Sequence, residues 1–287
     1  MSRNGRIAPA WQERLERLGL ADPAALLDCT PAQLNLAGRH EPLTKPGLAR
    51  RERWRWSRAD QTGESTTIYI KRYRWPDART QWDRLWRQSF HHSRAWWEFA
   101  QAQRLAESHL PTPQAVAVAE DMCGPLERRS AVLLAAAPGD AFDRVWTEAE
   151  RRGDPITRGL ARHDLAVRLG RFVAAFHQSG LCHRDLYLCH IFVDLDPEAR
   201  RPPTFTLIDL ARTMRPRLRR MRWIIKDLAE LDSSARQIGA TRADRLRFLY
   251  AYLGLAPRAP RVRWYVRRIC RKSDRILRRI ARKSGQP

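Results

Sequence analysis

The chain has 287 residues, 43% of them hydrophobic, with 11 Trp and a formal charge of +23. That is enough apolar material for one large domain or two lobes, whereas the longest uninterrupted apolar run, Ala131 to Ala137, is far too short to span a bilayer. A charged N-terminus without an apolar core does not read as a secretory signal, and five scattered cysteines (Cys29, Cys123, Cys182, Cys189, Cys270) with no C-x-x-C pair argue against a disulfide framework, so a cytoplasmic protein with reduced thiols is expected.

In chain order, residues 1–40 read as a short N-terminal helical extension, Trp11 to Leu20, followed by a Pro-punctuated linker. Arg51 to Trp56 and Thr66 to Lys71 alternate and are rich in aromatic and β-branched residues, which predicts a hairpin with Lys71 ending an apolar strand. A Trp-rich connector leads to helical spacing over 93–108, stopped by Pro111 and Pro113. Ala115 to Val118 and Ser130 to Leu134 flank a turn and predict a second hairpin. After Pro138-Gly139-Asp140 the pattern is helical to Gly180, with Leu165, Leu169, Phe172, Val173 and Phe176 at three- and four-residue steps. Two short strands follow, Ile191 to Val193 and Phe205 to Ile208, around a polar insert at 197–203. Everything past residue 222 is helical in pattern.

The charge is uneven. Residues 211–287 hold 23 Lys and Arg against 5 Asp and Glu, most of the chain's excess. Arg rather than Lys throughout reflects a compositional bias, but a bias does not explain the clustering. Val262, Val266, Ile269, Ile276, Leu277 and Ile280 recur at helical spacing among arginines, which describes a basic amphipathic helix. Such a helix closes a helical lobe with its apolar face, and its other face suits an anionic membrane surface or an acidic partner protein. Nucleic acid is disfavoured, because no recognised binding motif accompanies the charge.

Chemistry concentrates in His183-Arg184-Asp185-Leu186-Tyr187-Leu188-Cys189-His190 and in Thr206-Leu207-Ile208-Asp209-Leu210. One aspartate in a loop beside an Arg, and one ending a strand, are what a phosphoryl-transfer site needs to orient a hydroxyl and to hold magnesium. The Cys-His pairs at 182–183 and 189–190 do not follow known zinc spacings.

These residues resemble the protein-kinase-like fold and, more narrowly, the Kdo/WaaP lipopolysaccharide kinase family. The resemblance rests on H-R-D-x-Y-x-x-H-hydrophobic-Phe at His183 to Phe192, on Ile208-Asp209-Leu210 with Arg212 two residues on, and on Lys226-Asp227-Leu228 followed by Ser233-Ser234. Arg104-Leu105 leading to Thr112 and Ala115-Val116-Ala117, and Arg247 to Tyr252, extend it over roughly residues 43–255. It implies an α+β, bilobal fold: a small antiparallel β-sheet N-lobe with one main helix at 41–137, and a larger helical C-lobe at 138–287.

The resemblance further implies an ATP- and Mg2+-dependent kinase. Asp185 would be the catalytic base, Asp209 the magnesium ligand, Lys71 the lysine that pairs the α/β-phosphates, and Glu98 its partner on the following helix. His190 stands where most protein kinases have a second metal-binding Asn; it would donate to phosphate, tolerate a weak second metal, or pack structurally. Tyr187 replaces a common catalytic-loop lysine, and Arg212 would supply the missing charge. The G-x-G-x-x-G loop is absent, so Lys45, Arg50 or Arg51 would stand in for its amides. Asp227 would brace the catalytic loop, as would Arg184. The implied acceptor is a heptose or Kdo hydroxyl of the lipopolysaccharide inner-core glycolipid, reached by a protein peripheral to the inner face of the bacterial inner membrane. Protein or small-molecule kinases of the same fold, and a pseudokinase acting as a basic binding module, are the rival readings.

Overall fold

A computed structural model describes residues 2–17, 20, 22–28, 39–43, 51–59, 65–196, 201–256 and 259–283. The chain forms two compact units, Met1–Ala137 with Asp209–Thr213, and Pro138–Ile208 with Met214–Pro287.

The first unit is built on six antiparallel strands: β1 (Ser2–Ile7), β2 (Arg39–Pro42), β3 (Arg51–Ala59), β4 (Ser65–Arg74), β5 (Ala115–Cys123) and β6 (Leu126–Ala135), in the order β1-β5-β6-β4-β3-β2. The predicted hairpins are β3/β4 and β5/β6. The N-terminal segment departs from expectation: besides the short helix α1 (Gln12–Arg17) it supplies β1, an edge strand paired with β5, and the helical turn α2 (Ala25–Asp28), whose Leu26 and Leu27 are buried. Because α2 and helix α4 (Arg94–Glu107) both pack on it, β5 is buried at eight consecutive positions, which explains its continuous apolar run.

The Trp-rich connector contains helix α3 (Ala78–Arg87), started by Asp77, whose side chain accepts from the Thr80 amide at 2.7 Å. Its apolar stripe points the wrong way for a periodicity reading: Trp82 and Trp86 are 69% and 71% exposed, while Arg84 is buried and donates to the carbonyls of Ser89, His92 and Pro125. Helix α4 begins as predicted, its N-terminus capped by Ser93.

The second unit carries helices α5 (Phe142–Arg152), α6 (Gly159–Gln178), α7 (Arg220–Gln237), α8 (Arg242–Leu253) and α9 (Pro260–Lys283), with a small sheet of β7 (Asp140–Ala141), β8 (Ile191–Asp194) and β9 (Thr204–Leu207) in that order. Strand β7 pairs with β8 because Gly139 precedes it with φ of 74°; a Cβ there would lie 2.1 Å from the Val193 carbonyl oxygen. Helices α6 and α8 meet closely at Gly170, where a Cβ would lie 2.4 Å from the Phe248 carbonyl oxygen.

Helix α9 packs on α7 through Val262, Tyr265, Ile269 and Ser273. Each fully buried large apolar side chain in such a stripe contributes roughly 1.5–3 kcal/mol. The stripe differs from the sequence reading at its far end, where Ile280 is 39% exposed. An apolar cavity of about 330 Å3 lies among α6, α7, α8 and α9, lined by residues such as Leu169, Leu231 and Ile269; none of the predicted site residues lines it. No described helix is long and apolar enough to cross a membrane.

Candidate functional site

In the first unit the alternation of β4 sends Lys71 and Tyr73 to one face and Ile70 and Arg72 to the other. On the Lys71 face, α4 presents Glu98, fully buried. The Lys71 ammonium donates to Glu98 Oε1 at 2.6 Å and to Asp209 Oδ1 at 3.0 Å. Tyr73 donates its hydroxyl proton to the other Glu98 oxygen at 3.2 Å, so both oxygens of this carboxylate are engaged. Burial alone pushes the Lys71 ammonium toward neutrality, but the Asp209 and Glu98 charges outweigh it and raise its pKa above the ordinary 10.5. Burial, then the Glu98 charge, also raises the Tyr73 phenol, which stays protonated.

Asp209 is held by its own segment. The following turn, Leu210–Arg212, is tied down by Gln88, which donates to the Ala211 carbonyl at 2.7 Å, and by the Trp97 indole, which donates to the Thr213 carbonyl at 2.8 Å. Asp209 adopts φ of 59°, the left-handed region, at a cost of roughly 1–3 kcal/mol for a non-glycine residue. A second cation reaches it, since Arg53 Nη2 lies 3.8 Å from Asp209 Oδ2. Arg53 is the cross-strand partner of Lys71 in the β3/β4 ladder. Arg212 ends the turn and is exposed. Of the candidates for the phosphate-covering loop, Lys45 and Arg50 lie outside the described residues, and Arg51 stacks its guanidinium over the Tyr73 ring at 5.8 Å.

In the second unit the loop after α6 is held by one face of α7. Asp227, Glu230 and Ser234 recur at steps of three and four, so they point the same way. Asp227 accepts from the backbone amides of His183 at 2.7 Å and Arg184 at 2.8 Å. Glu230 accepts from the Leu186 amide at 3.4 Å and Ser234 from the Leu188 amide at 3.1 Å. Lys226 donates to the Arg184 carbonyl at 2.5 Å and pairs closely with Glu230. The Arg184 backbone is left-handed, with φ of 68°, and its guanidinium lies 5.7 Å from the centre of the Trp223 ring. Burial pushes the Asp227 carboxyl up, but hydrogen bonds from His177 and the loop amides hold it below the ordinary 3.8. Burial raises the Glu230 carboxyl against the pull of Lys226, and burial followed by the charges of Glu230 and Asp185 raises the Tyr187 phenol.

Asp185 is half-buried in this loop. Its backbone carbonyl accepts from His190 Nδ1 at 2.7 Å, which fixes that nitrogen as the N–H and makes Nε2 the lone-pair nitrogen of the neutral ring. His183 donates from Nε2 to the Ile208 carbonyl at 3.0 Å, and the Ile208 amide returns a bond to the His190 carbonyl at 3.0 Å. Among the described residues, one group with metal-ligand spacing occurs, His177, Cys182 and Asp227, all buried. Its chemistry is that of a hydrogen-bonded brace. His177 bonds to Asp227 and the Tyr252 hydroxyl, Asp227 serves the loop amides, and burial followed by the Asp227 charge pushes the Cys182 thiol up to about 12.

Lys71, Glu98 and Asp209 are thus brought together in one unit, and Asp185 and His190 in the other. The sequence reading passed over Arg53, Tyr73 and Glu230. The spacing of Glu230 from Asp227 was an available signal; the register that sets Arg53 opposite Lys71 was not.

The Lipopolysaccharide kinase (Kdo/WaaP) family model matches residues 47–252. The lipopolysaccharide core heptose(I) kinase WaaP of Pseudomonas aeruginosa is 33% identical over 156 residues, 54% of this chain and 58% of that protein. WaaP of Escherichia coli K12 is 28% identical over 160 residues, 55% of this chain and 59% of that protein. The match therefore spans less than two thirds of either relative. A solved structure described as WaaP in complex with acyl carrier protein aligns with a TM-score of 0.62 at 24% identity, covering 95% of this chain and 99% of that one. That likeness establishes an α+β, kinase-like fold, and with the family match over most of the motif-bearing region the chain belongs to the Kdo/WaaP lipopolysaccharide kinase family.

Proposed function

We propose that this chain is an ATP-dependent phosphotransferase that places the γ-phosphate on a sugar hydroxyl, heptose or Kdo, of the lipopolysaccharide core. The observation that carries the reading is the Lys71 ammonium held between Glu98 and Asp209 at 2.6 and 3.0 Å. Glu98, sealed from solvent, fixes the lysine as a permanent cation aimed at phosphate oxygens, while the partly exposed Asp209 is the carboxylate suited to a metal.

The donor set fits Mg2+, which is commonly bound by one or two carboxylates together with substrate phosphates. Asp209 would hold it, and the ion would supply positive charge against the phosphates. Glu98 is unsuited, because it is fully buried and its oxygens accept from Lys71 and Tyr73, whereas Asp209 is partly exposed. Asp185 orients the acceptor hydroxyl and takes its proton, an effect worth roughly 10²–10⁴-fold. With Nδ1 committed to the Asp185 carbonyl, His190 would meet phosphate only as an imidazolium donating from Nε2, and imidazole is a poor ligand for Mg2+. Lys71, Arg53 and Arg212 supply the positive charge.

The acceptor reading follows the named relatives, heptose(I) kinases. A phosphate-bearing glycolipid also suits the exposed arginines of α9, which would keep the protein peripheral at the cytoplasmic face of the inner membrane. An acidic protein is a second partner for that charge, and the neighbouring solved WaaP is in complex with acyl carrier protein. The test is γ-labelled ATP with fractionated lipopolysaccharide precursors and mass spectrometry of the labelled product. Label on a core sugar supports the reading; label on protein alone, with no lipid fraction needed, replaces it with a protein kinase.

A further inference from the structure

The second unit carries a patch that the phosphotransfer reading does not use. Residues 215–222 read Arg-Pro-Arg-Leu-Arg-Arg-Met-Arg, and no Asp or Glu occurs between Asp209 and Asp227 or between Asp244 and Asp274. Its arginines, 215, 217, 219, 220 and 222, are all exposed. Among them Leu218 is 81% exposed and Met221 37%.

This segment adjoins α9. The Tyr265 hydroxyl lies 3.5 Å from the Met221 sulfur, and the neighbouring Trp264 is 39% exposed with the Arg268 guanidinium 4.6 Å from its ring centre. The two elements also concentrate charge, because Lys272 is held below its ordinary pKa first by burial and then by Lys226 and Arg222. Bulky apolar side chains standing singly in a field of guanidinium groups match a bilayer interface, where Leu and Trp enter the acyl boundary and arginines stay with phosphates.

We infer that residues 215–222 and Trp264 form a docking surface for an anionic phospholipid bilayer, with Leu218 as the inserting side chain. Charge complementarity selects an anionic surface, and the protruding leucine selects a bilayer, adding an apolar term that a purely electrostatic α9 contact lacks. An acidic protein surface satisfies the arginines but gives no depth for Leu218. The inference rests on the peripheral placement proposed above and makes it specific.

The experiment is co-sedimentation of the full chain with phosphatidylcholine vesicles, with and without phosphatidylglycerol. Leu218→Glu and Leu218→Trp are compared with the parent chain, and circular dichroism and melting confirm folding, which an exposed position tolerates. The parent chain is expected to bind the phosphatidylglycerol vesicles. Leu218→Glu should lose about tenfold in partitioning, the scale of one buried leucine, and Leu218→Trp should retain it. If the parent chain ignores anionic vesicles, the peripheral placement itself falls. If it binds and Leu218→Glu binds equally, only the docking surface is overturned. Loss of binding to purified acyl carrier protein in Leu218→Glu, with vesicle binding unchanged, overturns it in favour of a protein partner. None of these readings depends on phosphotransfer, which is measured separately.

Discussion

The Asp227 carboxylate accepts the backbone amide of His183 at 2.7 Å, so a helix residue 44 positions downstream sets the start of the loop that carries Asp185. Its other oxygen takes the Arg184 amide, and neither atom is exposed to water. The loop is thereby shaped by hydrogen bonds to its backbone.

Replacing Asp227 with Ala should therefore cost about 2–4 kcal/mol, because two buried amides lose their acceptor. Urea unfolding measures this directly. The pH dependence has a definite sign. The folded-state pKa lies below the ordinary 3.8, so the charged carboxylate contributes stability above that value, and the contribution is lost as pH falls through the folded pKa. An acid titration of stability should show this loss in the parent chain and a shallower acid limb in Asp227→Asn.

Lys71 follows the opposite rule. Its pKa is raised above the ordinary 10.5, so the contribution of its ion pairs is fully present below 10.5 and disappears as pH climbs through the folded value. Nucleotide affinity should accordingly show no lysine titration near neutral pH. Glu98→Gln should weaken ATP binding by about tenfold to a hundredfold, the worth of one charge-assisted contact, as calorimetry would show.

Glu230 binds the same loop through the Leu186 amide and Lys226. Glu230→Gln keeps the shape and removes the charge that holds Lys226 at the loop. Turnover should fall several-fold while the KM for ATP stays near the parent value, because Lys71 and Arg53 of the first unit, the proposed nucleotide-binding cations, are untouched. Steady-state kinetics with varied ATP separates the two effects.

Gly170 tests the packing of the second unit. A side chain there would press on the Phe248 carbonyl across the α6/α8 contact. Gly170→Val should destabilise by about 1–3 kcal/mol through overpacking, read as a lowered melting temperature.

Much of this was legible from sequence where local pattern and local chemistry agree. The β3/β4 hairpin announced itself by alternation, α4 by its periodicity, and the motif loop by His183 to His190. Other features were hidden for physical reasons. Strand β1 is a polar edge strand, so its residues carry no apolar alternation. Helix α3 exposes Trp82 and Trp86 and buries Arg84, which inverts the pattern used to find helices. Arg53 became visible as a neighbour of Lys71 once strand register was known, and Glu230 once the loop's amides had a helix face to meet.

We propose that Asp185 acts on the acceptor while the Lys71, Glu98 and Asp209 cluster serves the nucleotide. The most direct measurement is transfer of label from ATP to lipopolysaccharide core by Asp185→Asn, with ATP affinity determined on the same preparation. Transfer reduced by at least ~10²-fold with ATP affinity retained is the predicted result; transfer at the parent rate would contradict it.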